Sequence, residues 1–212
     1  TSGSCAGCHS AMGFIDSIDP DYTGASYSPR GSGNEGIACA ACHEPHAAGM
    51  GEAQLRSIPS VTLSNGVVIT EGGDGLLCMS CHHDRYDANA RVLTTSGPHY
   101  GTQADMLTGK NAIEYGMTIP SSLHLSLLTN SCVECHMQTT STNALAQHKV
   151  GAHTFGMRWN AGTPTNESDD VLMTAACAEC HGAITNFNFG GQDYDQDGSV
   201  EGVQKEVADM LH

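Results

Sequence analysis

All ten cysteines of this chain fall into five C-x-x-C pairs, and each pair is followed at once by histidine: CAGCH (5–9), CAACH (39–43), CMSCH (78–82), CVECH (132–136) and CAECH (177–181). C-x-x-C-H is the attachment signature of c-type haem. The thiols of Cys5, Cys8, Cys39, Cys42, Cys78, Cys81, Cys132, Cys135, Cys177 and Cys180 would each form a thioether with a haem vinyl group. His9, His43, His82, His136 and His181 would reach the irons as proximal ligands. A zinc ribbon joins C-x-x-C units in twos and needs no histidine after every pair. A disulfide scaffold explains an even cysteine count but not the histidines, and a thioredoxin-like motif occurs once, near a βαβ pattern. The expected cofactors are therefore five covalent haem c groups.

Successive motifs begin 34, 39, 54 and 45 residues apart, which is no solenoid repeat but does leave little protein between haems. Only 11 residues are aromatic, against 25 glycines, so haem faces are expected to replace the missing core and folding to depend on them. The expected fold is mostly irregular coil with short helices and a small β-hairpin, organised around a chain of five haems in a single domain over 1–212. SVTLSNGVVIT (60–70) carries the hairpin signal, two β-rich arms around Asn65-Gly66. LRSIPS and GTPTNESDD read as loops, and a short helix is expected before motifs such as that in DVLMTAACAECH. At the end, SVEGVQKEVADMLH (199–212) places Val200, Val203, Val207, Met210 and Leu211 on one helical face, predicting a terminal helix docked on haem or core.

Eight basic residues against 23 acidic ones give a net charge of −15, which argues against nucleic-acid phosphates or an anionic membrane as partner. No run is apolar enough for long enough to span a bilayer. No signal-peptide pattern precedes Cys5, and the expectation is a processed, mature chain.

Twelve histidines are present. Beyond the five proximal ones stand His46, His83, His99, His124, His148, His153 and His212. Seven spare imidazoles beside five irons predict bis-His ligation throughout, with two to spare. Pro45 stiffens the chain before His46, Pro98 precedes His99, and small residues before His153 allow close approach to a flat haem. His124 lies eight residues before Cys132. His83 follows His82 directly, and successive side chains in a short loop cannot address one iron from opposite faces, so His83 is expected to ligate a different haem. The expected distal set is His46, His83, His99, His124 and His153, with His148 in reserve and His212 at a frayed end. Met79 and Met137, next to motif residues, are read as packing groups against porphyrin.

A second metal is suggested by DYDQDGSVEGVQ (193–204), which sets acids at loop positions 1, 3, 5 and 9 and Gly198 at 6, the calcium-loop spacing. Asp193, Asp195 and Asp197 would supply carboxylates, Ser199 its carbonyl, and Glu201 a direct or water-mediated contact to Ca²⁺. Position 12 is Gln204, where an EF-hand has a bidentate Glu.

GPHYGTQADMLTG, CVECHM, GAHTFGMR and DYDQDGSVEGVQKEV, together with the five motifs, resemble the outer-surface multihaem c-type cytochromes of metal-respiring bacteria. Among these are the filament-forming extracellular cytochrome nanowires. The resemblance implies a haem chain along each subunit, copies joined end to end, and a histidine of one subunit on a haem of the next. It carries the ligand role to His99 and His153. The expected function is electron transfer rather than catalysis, in an extracellular filament passing electrons to other redox proteins or extracellular acceptors. The alternatives are a monomeric periplasmic shuttle and a multihaem oxyanion reductase. The reductase needs an iron with an open position, which a lysine in place of a motif histidine, or a shortage of histidines, would signal; the sequence shows neither.

Overall fold

The computed structural model describes residues 3–18, 36–46, 52–91, 100–139, 148–160, 163 and 167–211. Coil and turns dominate. The helices are α1 (Gly3–His9), α2 (Ala11–Ile18), α3 (Cys39–Cys42), α4 (Gly75–Met79), α5 (Ala88–Arg91), α6 (Gln103–Thr108), α7 (Leu123–Leu127), α8 (Cys132–His136), α9 (Ala178–His181) and α10 (Val203–Met210). Two antiparallel hairpins accompany them, β1 (Val61–Thr62) with β2 (Val68–Ile69) and β3 (Arg158–Trp159) with β4 (Val171–Leu172), where the sequence led us to expect one. The chain packs as two compact units, Thr1–Ser131 and Cys132–His212.

In the first unit α1 and α2 meet at a tight corner. Ser10 is fully buried there, and its hydroxyl accepts the amide of Gly13 at 3.2 Å, the bond a helix N-cap makes to its third residue. Ala11, Phe14 and Ile15 line the buried face of α2. Ala11 and Phe14 join Ala41 of α3 and Leu77 of α4 in one core cluster, with Cys42 and Cys81 packed on its edge. Motifs 2 and 3 thus share one small core, and motif 1 joins it through the packing of α1 on α2.

The hairpin at 61–69 forms as the sequence predicts, with Val61, Leu63 and Ile69 buried and Thr62 and Val68 exposed, the period of two that puts one face inward. Its turn is closed by the Gly66 amide on the Leu63 carbonyl at 2.8 Å, with Gly66 at φ 86°, a value glycine adopts without steric cost. The Ser64 hydroxyl donates to the Asp84 carbonyl at 2.5 Å, tying the hairpin tip to the loop after motif 3. That loop is also held from below. Buried Asp105 accepts the Asp84 amide at 2.7 Å and the Asn111 amide group at 2.8 Å, while Asn111 also bonds Tyr86 and Ala88. Buried polar groups satisfied in this way specify one backbone path.

The second unit has a core of Val150 and Met173, flanked by Met157, Trp159, Val171 and Ala176. The residues before motif 5 form β4 and a 3₁₀ turn, Thr174–Cys177, rather than the expected helix, because Val171–Leu172 pairs with β3. The terminal helix also differs from expectation. It starts at Val203, leaving Val200 outside, and Val203, Val207, Met210 and Leu211 are exposed. Its buried residue is Glu206. Among the described residues no helix is long and apolar enough to cross a membrane.

Candidate functional site

A helical turn puts residues i, i+3 and i+4 on one side, so C-x-x-C-H on a turn brings two thiols and an imidazole together. Motifs 1 and 4 lie within α1 and α8. In motifs 2 and 3 the histidine amide bonds back to the first cysteine's carbonyl, His43 to Cys39 at 2.8 Å and His82 to Cys78 at 2.9 Å. Motif 5 runs from the 3₁₀ turn into α9. None of the ten cysteines is in a disulfide.

Three of the five motif histidines are oriented by a ring hydrogen bond. His43 Nδ1 donates to the Ala53 carbonyl at 2.7 Å, and His136 Nδ1 to the Phe155 carbonyl at 2.8 Å. His82 Nδ1 lies 3.3 Å from Gln103 Oε1. A carbonyl oxygen only accepts, so the proton is on Nδ1 and the lone pair on Nε2. Metal-ligating histidines are held in this way, with the outer N–H on a carbonyl. The scaffold behind His43 is explicit: residues 54–56 run antiparallel to it, with Glu44 N on Gln54 O and Arg56 N on Cys42 O, both 2.8 Å, and an Arg56–Glu44 ion pair at 2.7 Å. His9 and His181 are exposed, and His181 packs edge-on against Phe189 at 4.8 Å between ring centroids.

Of the expected distal ligands, His83 is the most constrained. It is half-buried, and its Nδ1 donates to the Asp84 carbonyl at 2.7 Å, so it too presents Nε2. His46, His124, His148 and His153 are exposed. The His124 ring nitrogen lies 3.5 Å from the Ser122 hydroxyl that caps α7, and His153 meets Phe155 edge-on at 6.3 Å. His99 and His212 fall outside the described residues.

The motifs are also drawn together. Cys81 packs on the core cluster beside Cys42. Burial first, and then the neighbouring Cys8 and Cys42 sulfurs, push the Cys81 thiol up to about 12. Cys5, Cys8 and His9 share a cavity of about 260 Å³ with Cys81, His82 and His83. In the second unit the Thr174–Cys177 turn that opens motif 5 packs against α8 of motif 4, and burial raises the Cys135 thiol, helped by Cys177, Glu134, Cys132 and Cys180. Met79 is buried in the core and Met137 is half-buried beside His136.

In the acidic loop, ligand oxygens of Asp193, Asp195 and Asp197 lie within 4.8 Å of one another, and those of Asp195, Glu201 and Glu206 do the same. The loop is held by its own amides: Gly198 on Asp193 at 3.0 Å, Asp197 on Asp195 at 3.1 Å and Ser199 on Asp197 at 2.8 Å. Asp193 Oδ1 is buried without a hydrogen-bond partner. Sequence reasoning missed Glu206, fully buried, which accepts the amides of Tyr194 (2.8 Å), Glu201 (3.0 Å) and Asp195 (3.3 Å). These amides, Glu201's foremost, hold its carboxyl below the ordinary 4.5. The Asp197 amide favours ionised Asp195, but burial and the charges of Asp197, Glu206 and Asp193 outweigh it and raise its pKa. Burial, then Asp197, raises Glu201 against the opposing Lys205. The signal for Glu206 was its place as the acid in the first turn of α10, where anions are favoured.

No family model, curated protein or solved structure matches the chain.

Proposed function

We propose that this chain is an electron-transfer protein holding five c-type haems, each iron between two imidazoles. The observation that carries the reading is the set of five C-x-x-C-H units containing every cysteine. The orientation of His43, His82, His83 and His136 supports it, each Nδ1 engaged and each Nε2 carrying the lone pair. Attachment would join each sulfur to a vinyl carbon, the thiol hydrogen passing to the adjacent carbon. The raised thiols of Cys42, Cys81, Cys135 and Cys177 argue against a nucleophilic or redox role for these four, since such a role needs a lowered pKa. Haem iron supplies one-electron chemistry by cycling between its ferrous and ferric forms. The chain contributes fixed ligands on both faces, so that little rearranges as the charge changes.

In its strongest form the protein is a subunit of an extracellular filament. Support comes from the resemblance noted above and from apolar side chains left on the surface, Tyr100 at 99 % and Met106 at 77 % exposure among them. Haem c attachment outside the cytoplasm agrees with that address. Purified from a host with haem-attachment machinery, the chain will carry the mass of five haems and show only low-spin bis-His signals by electron paramagnetic resonance. A protein without covalent haem overturns the reading. Cyanide or nitrite binding to a five-coordinate iron would favour the reductase instead. Electron microscopy tests the filament, and monodisperse particles at every concentration favour the shuttle.

We further propose one Ca²⁺ among Asp193, Asp195 and Asp197, with Glu201 and Glu206 alongside. Support comes from the crowded carboxylates and the buried, unpartnered Asp193 Oδ1. Calcium at a hundredfold excess over its Kd will stabilise the second unit by about 2.7 kcal/mol. Its affinity will fall with pH, because protons compete at Asp195 and Glu201, whose pKa values are raised. Glu206 works with the same sign on folding: its contribution is present above about pH 4.5 and lost as pH falls through its depressed value. Calorimetric titration of the holoprotein checks the site, and no heat and no change in melting temperature would exclude it.

A further inference from the structure

Motifs 1 and 3 meet in a reciprocal contact that chain order does not suggest. The Cys8 thiol points to the carbonyl of Ser80 at 4.0 Å, and the Cys81 thiol points to the carbonyl of Gly7 at 3.8 Å. Cys8 and Cys81 are the second cysteines of their motifs, and Gly7 and Ser80 are the residues just before them. Residue i of one loop therefore meets residue j of the other while j meets i, the mark of a local two-fold relation. Arg85, three residues past His82, adds a further tie, its guanidinium 3.6 Å from Cys5 Sγ. Both motifs open onto one cavity, in which His9 and His83 stand with Cys5, Cys8, Cys81 and His82.

His83 is part of the same arrangement. The Asp84 carbonyl holds its Nδ1, and Asp84 is pinned by Asp105 beneath and by Ser64 from the hairpin. The ring is thereby positioned on the cavity that contains the attachment residues of motif 1. His82 belongs to motif 3 itself, so His83 is the imidazole that motif 3 can offer to its neighbour.

We infer that the haems of motifs 1 and 3 form a two-fold-related pair at this shared cavity, with His83 the distal ligand of the iron attached through Cys5, Cys8 and His9. This rests on the haem reading above. Its consequence is that electrons in residues 1–131 pass directly between the first and third haems rather than in chain order. In that step a ferrous iron at one motif is oxidised as the ferric iron at the other is reduced; no proton moves and no further reactant is required. The crossed contacts of Cys8 with Ser80 and of Cys81 with Gly7 set the two attachment sites side by side, where they would hold the two haems as neighbours.

A density map of the haem-loaded protein is the direct test. The expected result is His83 Nε2 on the iron of motif 1, with the motif 3 haem as that haem's nearest neighbour. A nearest neighbour from motif 2, 4 or 5, or His83 on any other iron, overturns the pairing and leaves the haem reading intact. Absence of covalent haem by mass spectrometry would overturn that reading instead. As a second measurement, His83→Met in the loaded protein should remove one of the five bis-His signals and raise one reduction potential, since thioether ligation raises it. Retention of all five signals overturns the ligand assignment.

Discussion

With all ten cysteines replaced by serine, the chain will lose its cooperative unfolding transition. Among the described residues the buried apolar side chains are Ala6, Ala11, Phe14, Ile15, Ala41, Val61, Leu63, Ile69, Leu76, Leu77, Met79, Ala104, Leu125, Val150 and Met173, four of them only alanines. Each large side chain contributes roughly 1.5–3 kcal/mol when fully buried, while fixing one residue's backbone costs roughly 1–2 kcal/mol. Short helices and two-residue strands add little, because helices below about 12 residues are marginal alone. On our proposal, five covalent haems provide the missing apolar area, and their loss removes the folding free energy as metal removal does in small metallo-domains. Thermal melts followed by near-ultraviolet circular dichroism check this. A sharp melt and native aromatic signal in the serine variant would show that the polypeptide core suffices.

The second large effect is expected at the α1–α2 corner. A Cβ on Gly13 would stand 2.5 Å from the Ala6 carbonyl oxygen and 2.6 Å from its carbon. Those are backbone atoms and cannot swing aside. Gly13→Ala gains about 0.5–1 kcal/mol of helix propensity, but overpacking of this kind costs about 1–3 kcal/mol, so the clash wins and the protein is destabilised. For a chain of this size each kcal/mol lowers Tm by about 2–4 °C. The corner also sets α1, and with it Cys5, Cys8 and His9, against motif 3, so on our proposal the signal of the haem held by motif 1 should broaden or shift in the same variant. A rise in Tm would mean that α1 and α2 do not pack this closely.

The β1–β2 hairpin was legible in sequence because its determinants are local: two β-rich arms, and Asn65-Gly66 to turn them. The β3–β4 hairpin was not, since Arg158–Trp159 and Val171–Leu172 are too short for a pattern and stand well apart in the sequence. The terminal helix shows how periodicity can mislead. Val203, Val207 and Met210 share a stripe, yet the residue that goes inside is Glu206, because its carboxylate collects three amides of the preceding loop. Counting to loop position 12 reached Gln204, whereas the acid that meets the loop stands two residues further on, where α10 begins its return. Among histidines, spacing singled out His83, which the structure places half-buried with its Nδ1 on the Asp84 carbonyl.

The sequence alone determined the chemistry on offer: five thiol pairs, the imidazole beside each, a surplus of histidine, and three alternating aspartates ahead of a glycine. These follow from residue type and local spacing, which a helical turn or a tight loop converts directly into geometry. Only the tertiary structure decided which of these units are neighbours. The crossed Cys8–Ser80 and Cys81–Gly7 contacts join residues more than seventy positions apart, and no local pattern encodes that. The packing of α2 on α3 and α4, the clash-limited corner at Gly13, and the buried Asp84–Asp105–Asn111 network bring motif 1 to motif 3.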